Sequence, residues 1–472
     1  MIKSKLINLI SGFTRKEMTL LNEMALSPYF NKNEQVQKLV SLLSHHYPNY
    51  TDRNVSRYSL FERLWPNQEF DLAKIRHLFN YTYRLAERFL AYNTLEKQQF
   101  YLDLKLTESL KDKLQLNGFE KQLDHNLNKY QNDFELFKLN DLADLHFSQQ
   151  ANRNSTYLTQ KVKHLDRFYL TEKLKNACEM LNRQRLINIS FDFTLLEDLI
   201  EHLKINYHNY KDAPLVQLYY LVFLMNSHAE SEKYYNELTT LMEQVSNQIE
   251  QEEKRNIYNY AQNYCIFKIN QGQAQFLDKM FGIIQKMTLE NVLLENNQLS
   301  ERNYKNIVTI GLRLKEFSWV RDFIESYKNF LPKELATNAY NYNLSVYYYS
   351  KQDYNNALML LNSVEYSDPV YNLGAKVMLL KIYFETNEAE ALLSLEKSFT
   401  QYLRRNKLIS QPKYDRFKNL FKLTVKAFKL KQDWAYTAKT ERQNQFEKLK
   451  IEVEQSGQIT NKAWLIEQIK SW

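Results

Sequence analysis

Glycine and proline are scarce, with seven of each in 472 residues, against roughly 7% and 5% in ordinary proteins. Turns, bulges and hairpins draw on both residues, so an all-β or loop-rich fold is disfavoured and long helices joined by short turns are expected. The shortage of glycine also removes chemistry. No two glycines lie closer than ten residues apart, and the chain contains no G-x-x-x-x-G-K-[ST], G-x-G-x-x-G or G-x-S-x-G. A loop cradling phosphates through bare backbone is therefore hard to build. The two cysteines, Cys178 and Cys265, sit 87 positions apart in helical patterns. That spacing fits neither a disulfide framework nor a zinc finger and points to buried free thiols. Long apolar runs are missing too: nothing approaches the roughly 18 uncharged apolar residues of a membrane helix. The run "LINLI" that follows Lys3 and Lys5 has five residues, too few for a secretory leader, so a cytoplasmic location is expected.

Signatures of metal and acid–base chemistry are equally thin. Nine histidines give no H-E-x-x-H. His45 and His46 are adjacent at a helix end, and His202 and His208 fall on different helical faces, so solvated or capping roles are expected and no metal site is. Carboxylate pairs such as Glu252 with Glu253, or Glu197 with Asp198, are ordinary on exposed helix faces. No cofactor and no catalytic residue is expected.

Hydrophobic residues at 44% and charged residues at 25% are what a folded domain of ordinary composition carries. The net charge of +8 is local: residues 401–450 hold 14 Lys and Arg against 4 Asp and Glu, a net of +10, leaving −2 for the rest.

Residues 1–115 read as an N-terminal helical subdomain of short helices, punctuated by "SPYFNKN", "HHYPNYTD" and "LWPNQEFD". Within it, Leu72, Ile75, Leu78, Phe79, Leu85, Phe89 and Leu90 recur at threes and fours behind Asp71, which stands where an N-cap belongs. Residues 116–204 read as a long helical hairpin. There "FEKQLDHNLNKYQNDFELFKLNDLADLHFSQQ" and "NSTYLTQKVKHLDRFYLTEKLKNACEMLNRQ" are each expected as one long amphipathic helix, with Asn154 and Ser155 as capping candidates for the second.

The segment 205–400 carries an internal repeat. Ile307, Gly311, Phe317, Val320, Ile324, Tyr327 and Pro332 are matched 37 residues later by Leu344, Tyr348, Tyr354, Ala357, Leu361, Val364 and Pro369. Leu379, Tyr383, Ala391 and Leu395 continue the pattern, and stretches around Ala261 and Tyr264 and around "PLVQLYYLVFLMNSHAE" fit it more loosely. This spacing resembles the tetratricopeptide repeat (TPR), a helix pair with a large residue in its first helix, a small one where the helices cross and a closing proline. Ser345 and Val320 depart from the family's preferred glycine and alanine. The resemblance implies an all-α fold: a right-handed α-solenoid of TPR-like helix pairs, preceded by the N-terminal subdomain and the hairpin, with residues 401–472 as basic C-terminal helices capping it. In this register Tyr348 is expected in the core, Tyr347 and Tyr349 at its edges, and Ala357 at a helix crossing. The stretches "SPYFNKN" with "LWPNQEFDLAKIRHL" and "DRFYLTEKLKNACEMLNR" also resemble segments of uncharacterised bacterial proteins, a likeness that carries no activity.

The resemblance implies a groove lined by the first helix of each pair as the binding surface for a protein or peptide partner. By the family pattern Tyr342, Val346 and Tyr349 would face it in one repeat, and Lys305, Thr309, Leu312 and Arg313 in the one before. These residues do not reproduce the Lys and Asn clamp by which some members hold peptide carboxylates. A second candidate surface is basic. In "PKYDRFKNLFKLTVKAFKLKQ" the apolar stripe Phe417, Leu420, Phe421, Val425 and Phe428 is flanked by Lys418, Lys422, Lys426 and Lys429, with Arg404, Arg405 and Lys407 just before. No Glu at i±4 relieves the lysines, which points to an anionic partner such as nucleic acid or to a solvated face. The expected role is a non-catalytic scaffold or adaptor for a protein partner, the alternative a nucleic-acid-binding solenoid.

Overall fold

The computed structural model describes residues 4–148, 155–187, 190–363, 369–405, 410–433, 438–456 and 459–470. Among them the fold is all-α, with no strand; two residues, Glu295 and Gln298, form an isolated bridge. The chain divides into two compact units, Met1–Lys173 and Leu174–Trp472.

In the first unit, six helices enclose one core: α1 (Lys5–Ser11), α2 (Arg15–Leu26), α3 (Glu34–His46), α4 (Asp52–Val55), α5 (Arg57–Leu64) and α6 (Leu72–Leu95). Polar residues set their starts. Thr14 and Glu17 close a reciprocal capping box at α2, Asn33 accepts from the backbone N–H groups of Gln35 and Val36 at α3, and Asp71 accepts from those of Ala73 and Lys74 at α6, each a cap of the kind that stabilises a helix by about 1 kcal/mol. Behind Asp71 the expected stripe is buried at Ile75, Leu78, Phe79, Leu85 and Phe89, whereas Leu72 is exposed. A second core follows. Phe100 and Leu104 of α7 (Gln99–Asp112) pack with Phe119 and Leu123 of α8 (Leu116–Lys129) and with Leu139, Leu142 and Ala143 of α9 (Asp133–Phe147).

The single helix expected from 119 to 150 is thus two. Tyr130 leaves α8 in an extended conformation, and the Asn132 side chain accepts from the N–H of Phe134 (2.9 Å) to start α9. The apolar pattern runs straight through this break, but Asn132 offers the backbone a cap in place of a helical turn. The second long helix is present as α10 (Thr156–Ile187). It runs antiparallel to α9, with His164 against Asp133 (2.7 Å) and Lys161 against Asp141 (2.7 Å). Of its two capping candidates, Asn154 lies outside the described residues.

After α11 (Leu196–Asn206), the second unit contains five helix hairpins in chain order. They are α12 (Pro214–Ser227) with α13 (Lys233–Val245), α14 (Gln251–Asn270) with α15 (Phe276–Leu289), α16 (Glu301–Arg313) with α17 (Phe317–Tyr327), α18 (Ala336–Ser350) with α19 (Tyr354–Asn362), and α20 (Pro369–Glu385) with α21 (Ala389–Arg405). First helices also lie on first helices: α12 on α14, α16 on α18, α18 on α20. Three more, α22 (Gln411–Asp433), α23 (Lys439–Gln455) and α24 (Lys462–Lys470), pack on the last hairpin and on one another.

The repeat register locates the helix crossings. Ala357 is fully enclosed and Asn355, two residues before it, is exposed. One hairpin earlier the small residue has changed sides: a Cβ built on Gly311 would lie 2.4 Å from Cγ2 of Val320. The glycine on α16 therefore makes room for the valine that departs from the repeat pattern. The tyrosine triplet differs from expectation. Tyr347 is the buried one, edge-on to Phe317 of α17, while Tyr348 is half-buried and its hydroxyl accepts from Arg321. Four helices, α16, α17, α19 and α20, pack around α18, so its buried arc is broader than the single stripe a two-helix unit requires.

Both cysteines are buried free thiols. Burial pushes the Cys178 thiol up and that of Cys265 up to about 11, so neither supplies a thiolate near neutral pH. Among the described residues no group of three or more His, Cys, Asp and Glu side chains converges as a metal site would, and no helix is long and apolar enough to cross a membrane.

Candidate functional site: a carboxamide-lined cleft

The first helices of the second and third hairpins border a cleft of about 630 Å³. Its back wall is the segment joining α15 to α16. Asn296 and Asn297 both take positive φ, 49° and 60°, and the backbones of Glu295 and Gln298 exchange hydrogen bonds of 2.9 Å around them. Two left-handed residues in succession make a tight reversal, and asparagine tolerates that conformation better than most residues. Arg255 of α14 pins this wall, donating from Nε to the Val292 carbonyl (3.0 Å) and from Nη2 to that of Leu294 (2.7 Å).

The floor is apolar, made by Met280, Ile284 and Met287 of α15 with Ile307 and Ile310 of α16. Above it stand carboxamides. Asn259 and Asn263 on α14, four apart, share a face, as do Asn303 and Asn306 on α16, three apart. All four are exposed, and among the described residues none of their side chains is hydrogen-bonded to protein. Gln262, Asn296 and Gln298 add three more, with Arg302 at the rim. Each carboxamide carries both a donor and an acceptor. A row of them complements a partner presenting N–H and C=O groups in alternation.

None of the residues expected to line a groove is among those that line this cleft. Tyr342 is enclosed: its ring meets Tyr371 edge-on at 5.5 Å, and a Cβ on Gly374 of α20 would lie within 3 Å of it. Burial pushes its hydroxyl up to about 12. Lys305 lies 5.0 Å over the Tyr342 ring, Leu312 is buried, and Thr309 and Arg313 are exposed outside the cleft. Val346 is half-buried.

Tyr349 belongs to a closed cluster. Its hydroxyl donates to Glu385 (2.6 Å), which also accepts from Tyr354 (2.9 Å) and from the indole N–H of Trp464 on α24 (2.7 Å). Lys381 lies over both the Tyr349 and Trp464 rings, and burial holds its ammonium below the ordinary lysine range despite Glu385 and Glu467. Trp464 therefore lies against the cluster that includes Tyr349.

On α22 the basic stripe is in place, and Lys418, Lys422, Lys426 and Lys429 are all exposed. Their isolation is incomplete. Lys426 is ion-paired with Glu452 of α23, relief from another helix that spacing along α22 could not reveal, and Lys418 lies 5.7 Å over the Tyr414 ring. Lys422 and Lys429 have no ion-pair partner among the described residues. Arg404 and Arg405 are exposed at the C-terminus of α21, where positive charge offsets the helix dipole. Lys407 lies outside the described residues.

The sequence signal for the cleft was the placement of asparagine. Asn259, Asn263, Asn303 and Asn306 fall on helix faces left over once the repeat's packing positions are assigned. No protein-family model, curated protein or solved structure matches the chain.

Proposed function

We propose that the chain is a divergent TPR-like, non-catalytic scaffold or adaptor that holds an extended peptide segment of another protein in the cleft between α14 and α16. The observation that carries this reading is the set of four exposed asparagines, unpartnered among the described residues, over an apolar floor. A backbone in extended conformation presents its own donors and acceptors, and carboxamides can meet them without reading side-chain identity. The apolar floor can then accommodate alternate side chains. The test is selection of a random peptide display library on the full chain and on a variant with Asn259, Asn263, Asn303 and Asn306 all changed to Ala. The parent should enrich peptides that the variant binds at least about thirtyfold more weakly, four lost neutral hydrogen bonds at about 0.5–1.5 kcal/mol each. Enriched peptides that bind both forms equally would remove the cleft from the reading. The four positions are exposed, so helix content should be unchanged.

A second reading rests on Lys422 and Lys429, cations of α22 that have no ion-pair partner among the described residues. It makes the basic stripe a phosphate-contacting face. Replacing Lys418, Lys422, Lys426 and Lys429 by Gln should then flatten the salt dependence of RNA or DNA binding by up to about three or four units on log–log axes. Identical slopes for parent and variant would leave the stripe as a solvated face.

A further inference from the structure

The first unit has its own cleft, of about 330 Å³, lined by Ser4 and Lys5 at the start of α1, Arg57 at the start of α5, and Arg76, Phe79, Asn80 and Tyr83 along α6. Three cations face it, Lys5, Arg57 and Arg76, and among the described residues none of them is ion-paired with a carboxylate. Like charges left together without compensation destabilise a fold unless an anion joins them.

Ser4 adds a hydroxyl to the same cleft. The Ser4 side chain lines the cleft and is nine-tenths buried, with 7% exposure. It stands in the N-cap position of α1 and makes no capping hydrogen bond. Its hydroxyl is one polar group that a ligand in the cleft would meet. Arg57 is held ready for one, its guanidinium 6.0 Å over the Phe79 ring. One group opposes an anion: Tyr83 donates to Glu87, which brings a carboxylate toward the edge of the site.

We propose that this cleft binds the phosphate group of a phosphorylated small molecule. Two guanidinium forks and a lysine suit a dianion with three free oxygens better than a monovalent carboxylate, because each fork can engage two oxygens and the third cation offsets the second charge. The Ser4 hydroxyl and the Asn80 amide supply neutral donors. The volume is at the lower end for ligand sites, larger than a phosphate alone needs, and Phe79 gives the remainder an apolar wall.

Isothermal titration of the full chain tests this, with phenyl phosphate, inorganic phosphate and benzoate as probes. Phenyl phosphate should bind at least about tenfold more tightly than benzoate, which carries the same ring on one negative charge. R57Q and R76Q should each weaken phenyl phosphate binding by about tenfold or more, the equivalent of one charge-assisted hydrogen bond. Changing the four α22 lysines to Gln should leave it unaltered. Arg76 is exposed, so R76Q serves even if R57Q disturbs α5. Inorganic phosphate binding as tightly as phenyl phosphate would show an anion site without an organic ligand and would overturn the small-molecule assignment. Equal affinity for benzoate, no binding of phenyl phosphate, or an R76Q variant with the parent's affinity would overturn the site.

Discussion

Raising the pH above about 10 is expected to unfold the second unit in one cooperative step, with tyrosinate absorbance and loss of helix rising together. Tyr219, Tyr235, Tyr304 and Tyr342 are all at least nine-tenths buried. Burial is the largest cause raising each hydroxyl above its ordinary value, with Glu253 assisting at Tyr219 and Cys265 at Tyr235. A raised folded-state pKa means that the stability is fully present below the unfolded value, about 10, and is lost as the pH climbs toward the folded values. At about pH 11 the unfolded chain gains about 1.4 kcal/mol from each of these tyrosines, on the order of 6 kcal/mol for four, as much as the entire stability of many domains. Tyrosinate that grows in gradually while the helix signal stays constant would show that these rings are open to water.

The second large effect concerns the α16–α17 crossing. Gly311→Val is expected to cost about 3 kcal/mol, because its Cβ would fall 2.4 Å from Cγ2 of Val320 and 3.5 Å from the Phe281 ring. Val320 is stiff at χ1 and fully enclosed, so it cannot swing aside. Adding Val320→Ala should return at least about 1 kcal/mol in a double-mutant cycle read by denaturant melts. Additive effects would mean that the two side chains do not share the space.

The same pair shows what the sequence discloses and what it hides. Scarcity of glycine and proline was enough for an all-α fold, and the 37-residue repeat placed Ala357 inside and Asn355 outside. Val320 looked like a fault in that repeat, since one sequence does not say that Gly311 has taken over as the small partner. Tyr348 was assigned to the core because a single helix pair has one buried stripe, whereas α18 is surrounded by four helices. The break at Asn132 was hidden by an apolar pattern that continues across it in phase. Asparagine usually signals caps and turns, so the faces formed by Asn259, Asn263, Asn303 and Asn306 became visible only when the long-range packing set α14 and α16 on opposite sides of one cleft.

The Glu385 cluster has a consequence in time. Tyr349 and Tyr354 precede Glu385 in the chain, but its third donor, Trp464, follows 79 positions later. At ribosomal rates of about 5–20 residues per second, Glu385 exists for roughly 4–16 seconds before that indole has been made. During this interval the face of α20 that Trp464 later covers, with Phe384 and Lys381, is open to water and to any chaperone that recognises apolar surface. The end of the hairpin stack is thus completed only after α24 has been made.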